Sequence, residues 1–427
     1  MRILRLIIVL ALLFIAYQAG AQVASPSLYI VGASDTEYVV NSYNPITQMA
    51  TALYTVSTSA QGVLSQLFPL AEIDALNAYL PTYNDTIGIR HPITNLSVLR
   101  TDARIEKLAV SPDNQQVVAQ IIYQTCFVPQ NPVCYGTTQL VLIDSSGHRV
   151  LLNLGSHDTQ FSDVPYQYPE PETSIWSLEW TPDQQALIIG VIDWRSARNR
   201  IDQTLVVVPL NGDSPFKIGE GAAWAIAPEG NRLVAMSYYN ADGGQSNNTF
   251  YVIDFDLQTR QSSQTSYTFP GYWVDERVGL AFAGDAVVFQ RGFDSLRGEA
   301  VTSDTGGGLA VFEPQTGEAS MLLPETFFTE IQSTPDGSQL ILETREGLLV
   351  KGNWITDTFE LTPLSLQPVA DWSLNAQGSV LVQYEEVAAY QIIQPQNPMS
   401  EILNLQAIVQ LQEQSPAEQS PIIDIDW

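Results

Sequence analysis

The side chains that most often carry chemistry are sparse in this chain: three histidines, His91, His148 and His157, and two cysteines, Cys126 and Cys134. His157 precedes Asp158, but neighbours on a strand point to opposite faces, and no third ligand follows at a metal-binding spacing. All three histidines therefore read as solvated loop residues. The two cysteines flank Phe127-Val128-Pro129-Gln130-Asn131-Pro132-Val133. In an exported chain such a close pair is the pattern of a disulfide that staples a loop, with free thiols as the alternative, because sequence carries no geometry. Two thiols without a nearby histidine are too few for a metal site. No Gly-x-Ser-x-Gly elbow is present, and Gly306-Gly307-Gly308 lacks the lysine of a phosphate loop. Asn240–Asn247 is rich in side-chain oxygens but has neither the spacing nor the distal glutamate of a calcium loop, so it reads as a polar loop. Asn84, Asn95 and Asn247 open N-glycosylation acceptor patterns, which matter only in a eukaryotic secretory pathway. No cofactor and no metal are expected.

What remains is arginine beside aromatic residues. Arg195, Arg198, Arg200, Arg291 and Arg297 fall in two long polar connections, with Tyr166, Tyr168, Trp194, Tyr272 and Trp273 in or beside them. That composition marks interaction hot spots and carboxylate recognition. The plainer account is that these arginines offset Asp193, Asp202, Asp294 and Glu299. Trp180, Trp224 and Trp372 are set aside, because they stand at strand ends and are expected to pack blades together.

The elements that position these connections follow from a repeat. Ile175–Gly190 reads as an alternating strand, a Thr181-Pro182-Asp183 turn and an apolar strand. Proline presets φ at the second position of such a turn, and the polar residues after it accept the bend. The pattern returns around Ser111-Pro112-Asp113, Ala227-Pro228-Glu229 and Thr334-Pro335-Asp336-Gly337, and more weakly at Gly284-Asp285 and Ala376-Gln377-Gly378. A second hairpin follows each copy, as where Gln139–Asp144 and Arg149–Leu154 flank Ser145-Ser146-Gly147. Four short strands in each unit of about 40–50 residues, with no helical period between them, describe the blade of a β-propeller. The turn motif resembles the TolB-type propeller repeat over residues 105–405, with the full Pro-Asp-Gly only at Pro335-Asp336-Gly337. That resemblance implies a propeller fold, similar also to WD-repeat proteins, and an interaction role. The α/β domain that precedes the propeller in TolB itself has no counterpart here.

Six units are visible, and the ends supply a seventh. Pro421–Trp427 reads like the first strand of a blade, and Leu28–Val31, Glu37–Asn41, Ala52–Ser57 and Val63–Leu67 read as its partners. The expected fold is all-β, a propeller of seven four-stranded blades closed by pairing of its N- and C-terminal strands, with six blades as the alternative. Residues 22–427 then form one domain: a blade from 22–68 plus 421–427, a connection over 69–104 with a short helix at Ala71–Tyr79, blades over 105–405, and a linker over 406–420. Long connections (Gln124–Thr138, Asp193–Gln203, Arg291–Gly307, Gly155–Thr173 and Pro270–Arg277) gather on one rim, whereas the other rim holds tight turns. Binding residues favour loops on a rigid scaffold, so the long-connection rim is the expected ligand face.

Met1-Arg2-Ile3-Leu4-Arg5, an apolar run to Tyr17 and Ala19-Gly20-Ala21 describe a signal peptide over residues 1–21. The run is shorter than the roughly 20 residues of a spanning helix, and no later stretch is long enough to cross a membrane. The chain is expected to be secreted or extracytoplasmic, in a periplasm or at a cell surface. Removing Arg2 and Arg5 with that segment changes the formal charge from −28 to −30. So acidic a protein is repelled by nucleic acid and by anionic membranes. The expected function is a monomeric scaffold binding a protein partner or an extracellular polymer, without catalysis. The alternative is a glycan-directed hydrolase or lyase using carboxylates around the central channel.

Overall fold

The computed structural model describes residues 28–33, 36–44, 47, 49–67, 89–90, 97–128, 133–155, 173–193, 203–236, 249–269, 278–291, 293–294, 299–300, 308–324, 326–355, 358–375, 377–384, 387–394, 397–403 and 422–426. They form a seven-bladed β-propeller of antiparallel sheets. From the inner to the outer strand, blade 2 runs Ser97–Val110, Val117–Val128, Val133–Asp144 and Gly147–Gly155, with Ile89–Arg90 added on the inner side. Blade 3 is Thr173–Trp180, Ala186–Asp193, Gln203–Pro209 and Phe216–Gly221, and blade 4 is Ala223–Ile226, Arg232–Met236, Thr249–Asp256 and Gln261–Thr268. Blade 5 is Leu280–Ala283, Ala286–Arg291, Gly308–Glu313 and Glu318–Pro324. Blade 6 is Phe328–Ser333, Leu340–Thr344, Leu349–Ile355 and Thr358–Pro363, and blade 7 is Val369–Leu374, Val380–Tyr384, Val387–Gln394 and Asn397–Leu403.

Blade 1 takes its strands from both ends of the chain. Leu28–Ala33, Glu37–Asn44 and Met49–Ser57 pair in order, and Ile422–Asp426 pairs with Leu28–Ala33 as the fourth strand. First strands touch one another between blades 2 and 3, 4 and 5, and 5 and 6, and Ile422–Asp426 touches the first strand of blade 2, so it takes the inner place. The fourth segment read as a strand of this blade, Val63–Leu67, is instead part of a helix, Ala60–Leu67. Ser59 starts it: its Oγ accepts from Gly62 N at 3.2 Å and its carbonyl from Val63 N at 2.9 Å. Val-x-Ser-x-Leu fits either period, and the cap decides for the helix.

The turns repeat more faithfully than their sequences. In the blades numbered 2, 3 and 6, the Ser111, Thr181 and Thr334 hydroxyls donate to Asp113, Asp183 and Asp336 Oδ1 at 2.7, 2.6 and 2.5 Å. Blade 7 substitutes Asn375, whose Oδ1 accepts from Gln377 N and Ser379 N at 3.0 and 2.8 Å. The fourth turn residue is left-handed in five blades, with φ of 58° at Asn114, 59° at Gln184, 79° at Gly230, 65° at Gly337 and 80° at Gly378. Glycine enters this conformation without the penalty an L side chain carries, and asparagine tolerates it, which leaves Gln184 as the strained copy.

The core lies between blades rather than within them. Among the described residues, apolar clusters join the pairs 1–2, 2–3, 3–4, 4–5, 5–6 and 6–7, each built from the facing sides of neighbouring sheets. The three tryptophans assigned to packing are buried, and each indole N–H reaches the preceding blade: Trp180 to Ala109 O at 2.8 Å, Trp224 to Ser177 Oγ at 2.9 Å, Trp372 to Glu343 Oε2 at 3.1 Å.

Three connections differ from expectation. Most of Gln124–Thr138 is hairpin, not loop, because Val117–Val128 and Val133–Asp144 continue pairing up to Phe127↔Val133. Tyr123, Thr125, Phe127, Val128, Val133 and Tyr135, residue types that favour strands, carry the ladder past the blade. The inner strand of blade 2 likewise begins at Ser97, inside the stretch read as a connection over 69–104. Phe293–Asp294 and Glu299–Ala300 pair as a small ribbon within Arg291–Gly307. The helix expected at Ala71–Tyr79, the linker 406–420 and residues 1–21 lie outside the described residues. No helix among the described residues is long and apolar enough to cross a membrane.

Candidate functional site at the channel mouth

Each inner strand starts at the rim of long connections and runs toward the rim of tight turns. Near its start, five of the seven inner strands carry a bulge at one place. Pairing skips Glu106 in blade 2, Trp176 in blade 3, Thr329 in blade 6, Ala370 in blade 7 and Ile423 in blade 1. A bulge frees one residue from the ladder and re-aims its side chain. The residue after it is Lys107, Ser177, Glu330, Asp371 and Asp424 respectively, so at one register level the inner strands carry lysine, serine and acids in turn.

Inner strands are covered by neighbouring blades on both faces and by the second strand at one edge, so their exposed side chains face the channel. Trp176, at 50% exposure, is one of few large apolar side chains so open among the described residues. Lys107 Nζ donates to Trp176 O, tying blade 2 to blade 3 there. Arg104 is held by Glu106 at 2.7 Å and Asp102 at 3.7 Å.

The acids differ in environment. Burial pushes the Glu330 carboxyl above the ordinary glutamate range, and the Glu343 and Asp371 carboxylates push it further. Gln332 Nε2 donates to Glu330 Oε1 at 2.6 Å, and the Trp372 indole also donates, which opposes the rise. Glu179 stands three residues beyond Trp176, roughly 10 Å along the strand. Its side chain is open to the channel, yet the surrounding protein pushes its carboxyl up to about 7. No charged neighbour enters that shift, and no hydrogen bond joins Glu179 to the described residues. At the same distance from the turn in blade 7, Ser373 Oγ is buried without a partner. Among the described residues, no group of three or more metal-ligating side chains is placed to hold an ion.

The raised Glu179 value carries a stability consequence. A carboxyl with a folded value near 7 holds its proton more tightly folded than unfolded, so stability is highest below the unfolded value and falls as pH rises toward 7. Glu179→Gln is therefore expected to stabilise the protein at pH 8 by about 1 kcal/mol, a figure reduced because water reaches the channel. At pH 4 the gain should vanish. Denaturation curves at both pH values would expose a wrong assignment as an equal effect at each.

Of the arginine and aromatic candidates, the structure describes Arg291, at the end of a blade 5 strand, with Nη1 3.5 Å from Met321 Sδ. Arg195, Arg198, Arg200, Arg297, Tyr166, Tyr168, Trp194, Tyr272 and Trp273 lie outside the residues whose side chains are described, as do His91 and His157. His148 is a strand residue rather than a loop one, exposed, with its ring 4.6 Å from that of Tyr54. Cys126 and Cys134 are direct cross-strand partners. Sequence reading passed over Trp176, Glu179, Glu330 and Asp371. Glu330 and Asp371 stand five residues before Pro335 and Ala376, an alignment legible in the chain, but only the bulge shows that the alternation breaks there.

No protein-family model matches the chain, and no curated protein does. Solved structures similar to it are propellers. The β-propeller domain of the Trilobed protease from Pyrococcus furiosus is 8% identical over 88% of this chain and 96% of its own, with a TM-score of 0.44. The periplasmic gluconolactonase of Pseudomonas aeruginosa is 12% identical over 94% and 98%, with a TM-score of 0.43. An oligogalacturonate lyase in complex with manganese is 11% identical over 77% and 73%, with a TM-score of 0.37. Likeness at this level goes no further than fold.

Proposed function

We propose that this is an exported binding propeller that takes a protein partner or an extracellular polymer at the channel mouth on the rim of long connections. Trp176 carries the reading: an aromatic ring left half open on an inner strand, at a bulge, above an unpaired Glu179. Large aromatics with one open face are the usual anchors of interfaces. The arginine and aromatic residues of the neighbouring connections, Arg195 and Trp194 among them, frame the same rim in this reading. The likeness of the turn motif to TolB-type repeats supports an interaction role. Cys126 and Cys134 then close a cross-strand disulfide, since directly opposed antiparallel positions approach as closely as that bond requires.

Capture from the native secretome tests this, comparing the wild type with Trp176→Ala. A partner retained by the wild type and lost by the variant is the expected result. Identical partners on both would remove Trp176 and the mouth from the account.

Glu330 favours a second reading. A carboxylic acid raised by burial beside two carboxylates is the arrangement of a general acid, as in glycan hydrolysis or elimination. Polysaccharide turnover by the wild type, abolished in Glu330→Gln, would establish it. Turnover unaffected by that change would dismiss Glu330 as the acid.

A further inference from the structure

We propose that the outer edge of blade 4, Gln261–Thr268, pairs with the same edge of a second copy of this chain, joining two propellers through one continuous sheet. A terminal strand offers open N–H and C=O groups to other strands, and folded proteins blunt such edges with charges, prolines or bulges. The outer strands of blades 2, 3, 5, 6 and 7 carry Arg149, Lys217 and Glu220, Glu318, Glu360 and Glu401 in turn, and those of blades 5, 6 and 7 each include a proline. Met49–Ser57 of blade 1 is uncharged, but it bulges at Leu53 and is turned against blade 2, with Val56 buried and Tyr54 on His148.

Gln261–Thr268 has none of these devices. It holds no charge and no proline, and it pairs residue for residue from Gln261↔Asp256 to Thr268↔Thr249. All of it except Tyr267 is exposed, and no described strand lies beyond it. Every second residue of an antiparallel strand turns its N–H and C=O away from its inner neighbour, so this edge is a straight row of open groups. It is also held in place: the Tyr267 ring lies 5.5 Å from Phe312 of blade 5, and the Thr268 and Thr249 hydroxyls are 3.2 Å apart. An edge already ordered loses little entropy on pairing.

The occupant follows from charge and symmetry. The chain carries a formal charge of −28, so two copies repel one another over most of their surface. Antiparallel pairing of the blade 3, 5, 6 or 7 edge with its own copy would bring glutamates together, whereas the blade 4 edge meets its copy without like charges. A charged foreign strand would find no complement on it. A two-fold axis beside Gln264 sets Ser262 against the partner's Ser266 and Ser263 against the partner's Thr265, pairs whose hydroxyls hydrogen-bond across strands. Because the paired strands run in opposite directions, the two channel mouths open to opposite sides.

The test is sedimentation analysis of the protein over a range of concentrations, in about 0.05 M and about 0.5 M salt. The mass is expected to rise toward that of two chains with concentration, and pairing should be at least threefold tighter at the higher salt, where repulsion is screened. Thr265→Lys and Ser263→Lys, both at exposed positions, should each weaken pairing at least tenfold, although either change lowers the charge to −27 and so reduces the repulsion between copies. Thr51→Lys, the same charge change on the outer strand of blade 1, should leave pairing as it was. Thermal melts confirm that each variant is folded. A single-chain mass throughout, pairing that salt weakens, pairing that survives both blade 4 lysines, or pairing lost equally in Thr51→Lys would each overturn the proposal. A single-chain mass together with a secretome protein held by the wild type and lost in Thr265→Lys would give the edge to a foreign strand and overturn the second copy.

Discussion

Deleting residues 421–427 is expected to lower the melting temperature by 10 °C or more and to make unfolding irreversible. Ile422–Asp426 is the inner strand of blade 1, hydrogen-bonded along Leu28–Ala33 and touching the first strand of blade 2. Its removal bares an edge whose residues are among the most deeply buried: Leu28, Tyr29, Ile30 and Val31 are 1, 4, 4 and 0% exposed. Exposing even half of that apolar surface costs on the order of 5 kcal/mol. A bare, apolar strand edge is also a template for aggregation. Scanning calorimetry of the full and shortened chains measures the effect. A melting temperature within 2 °C of the full chain would mean that closure by this strand contributes little.

The second large effect is expected at Phe250, between blades 4 and 5. Its ring stacks on Phe312 at 4.9 Å and 21°, meets Phe289 at 5.0 Å, and lies edge-on to Phe269 at 5.7 Å. Phe250, Phe289 and Phe312 are all fully buried. Phe250→Ala removes a ring from the middle of this stack, and the strands around it are held by their ladders, so the void cannot collapse. The cost is expected at about 3–5 kcal/mol, read from the shift in urea midpoint at unchanged slope. A shift worth under 1 kcal/mol would show that the blade interface repacks around the gap.

Much of this architecture could be read from the chain because the turn carries its own chemistry. A hydroxyl, a proline and an aspartate each have a local job, and the period of that trio marks the blades without any long-range knowledge. The C-terminal strand was legible for the same reason: Pro421-Ile422-Ile423-Asp424 copies the start of blade 7. Val63–Leu67 was misread because five residues hold too few periods to separate strand from helix, and Ser59 settled it. The site was far less legible. Trp176 and Glu330 sit beside bulges, and a bulge is a property of two strands together; nothing in either strand alone announces it. Glu179 looks in the sequence like any surface glutamate.

The bulge level of the channel has a consequence for the order in which this protein can acquire activity. Lys107 is made early, Glu330 and Asp371 late, and Asp424 after all of them, yet all occupy equivalent positions. During synthesis, blades 2 to 7 can each form as soon as their four strands have emerged, as local hairpins do. Blade 1 cannot, because its outer three strands must wait for a strand made hundreds of residues later. The mouth of the channel is thus the last part to come into being, and partially made chains present an incomplete ring to any partner. Whatever binds there meets only chains that have already joined their two ends.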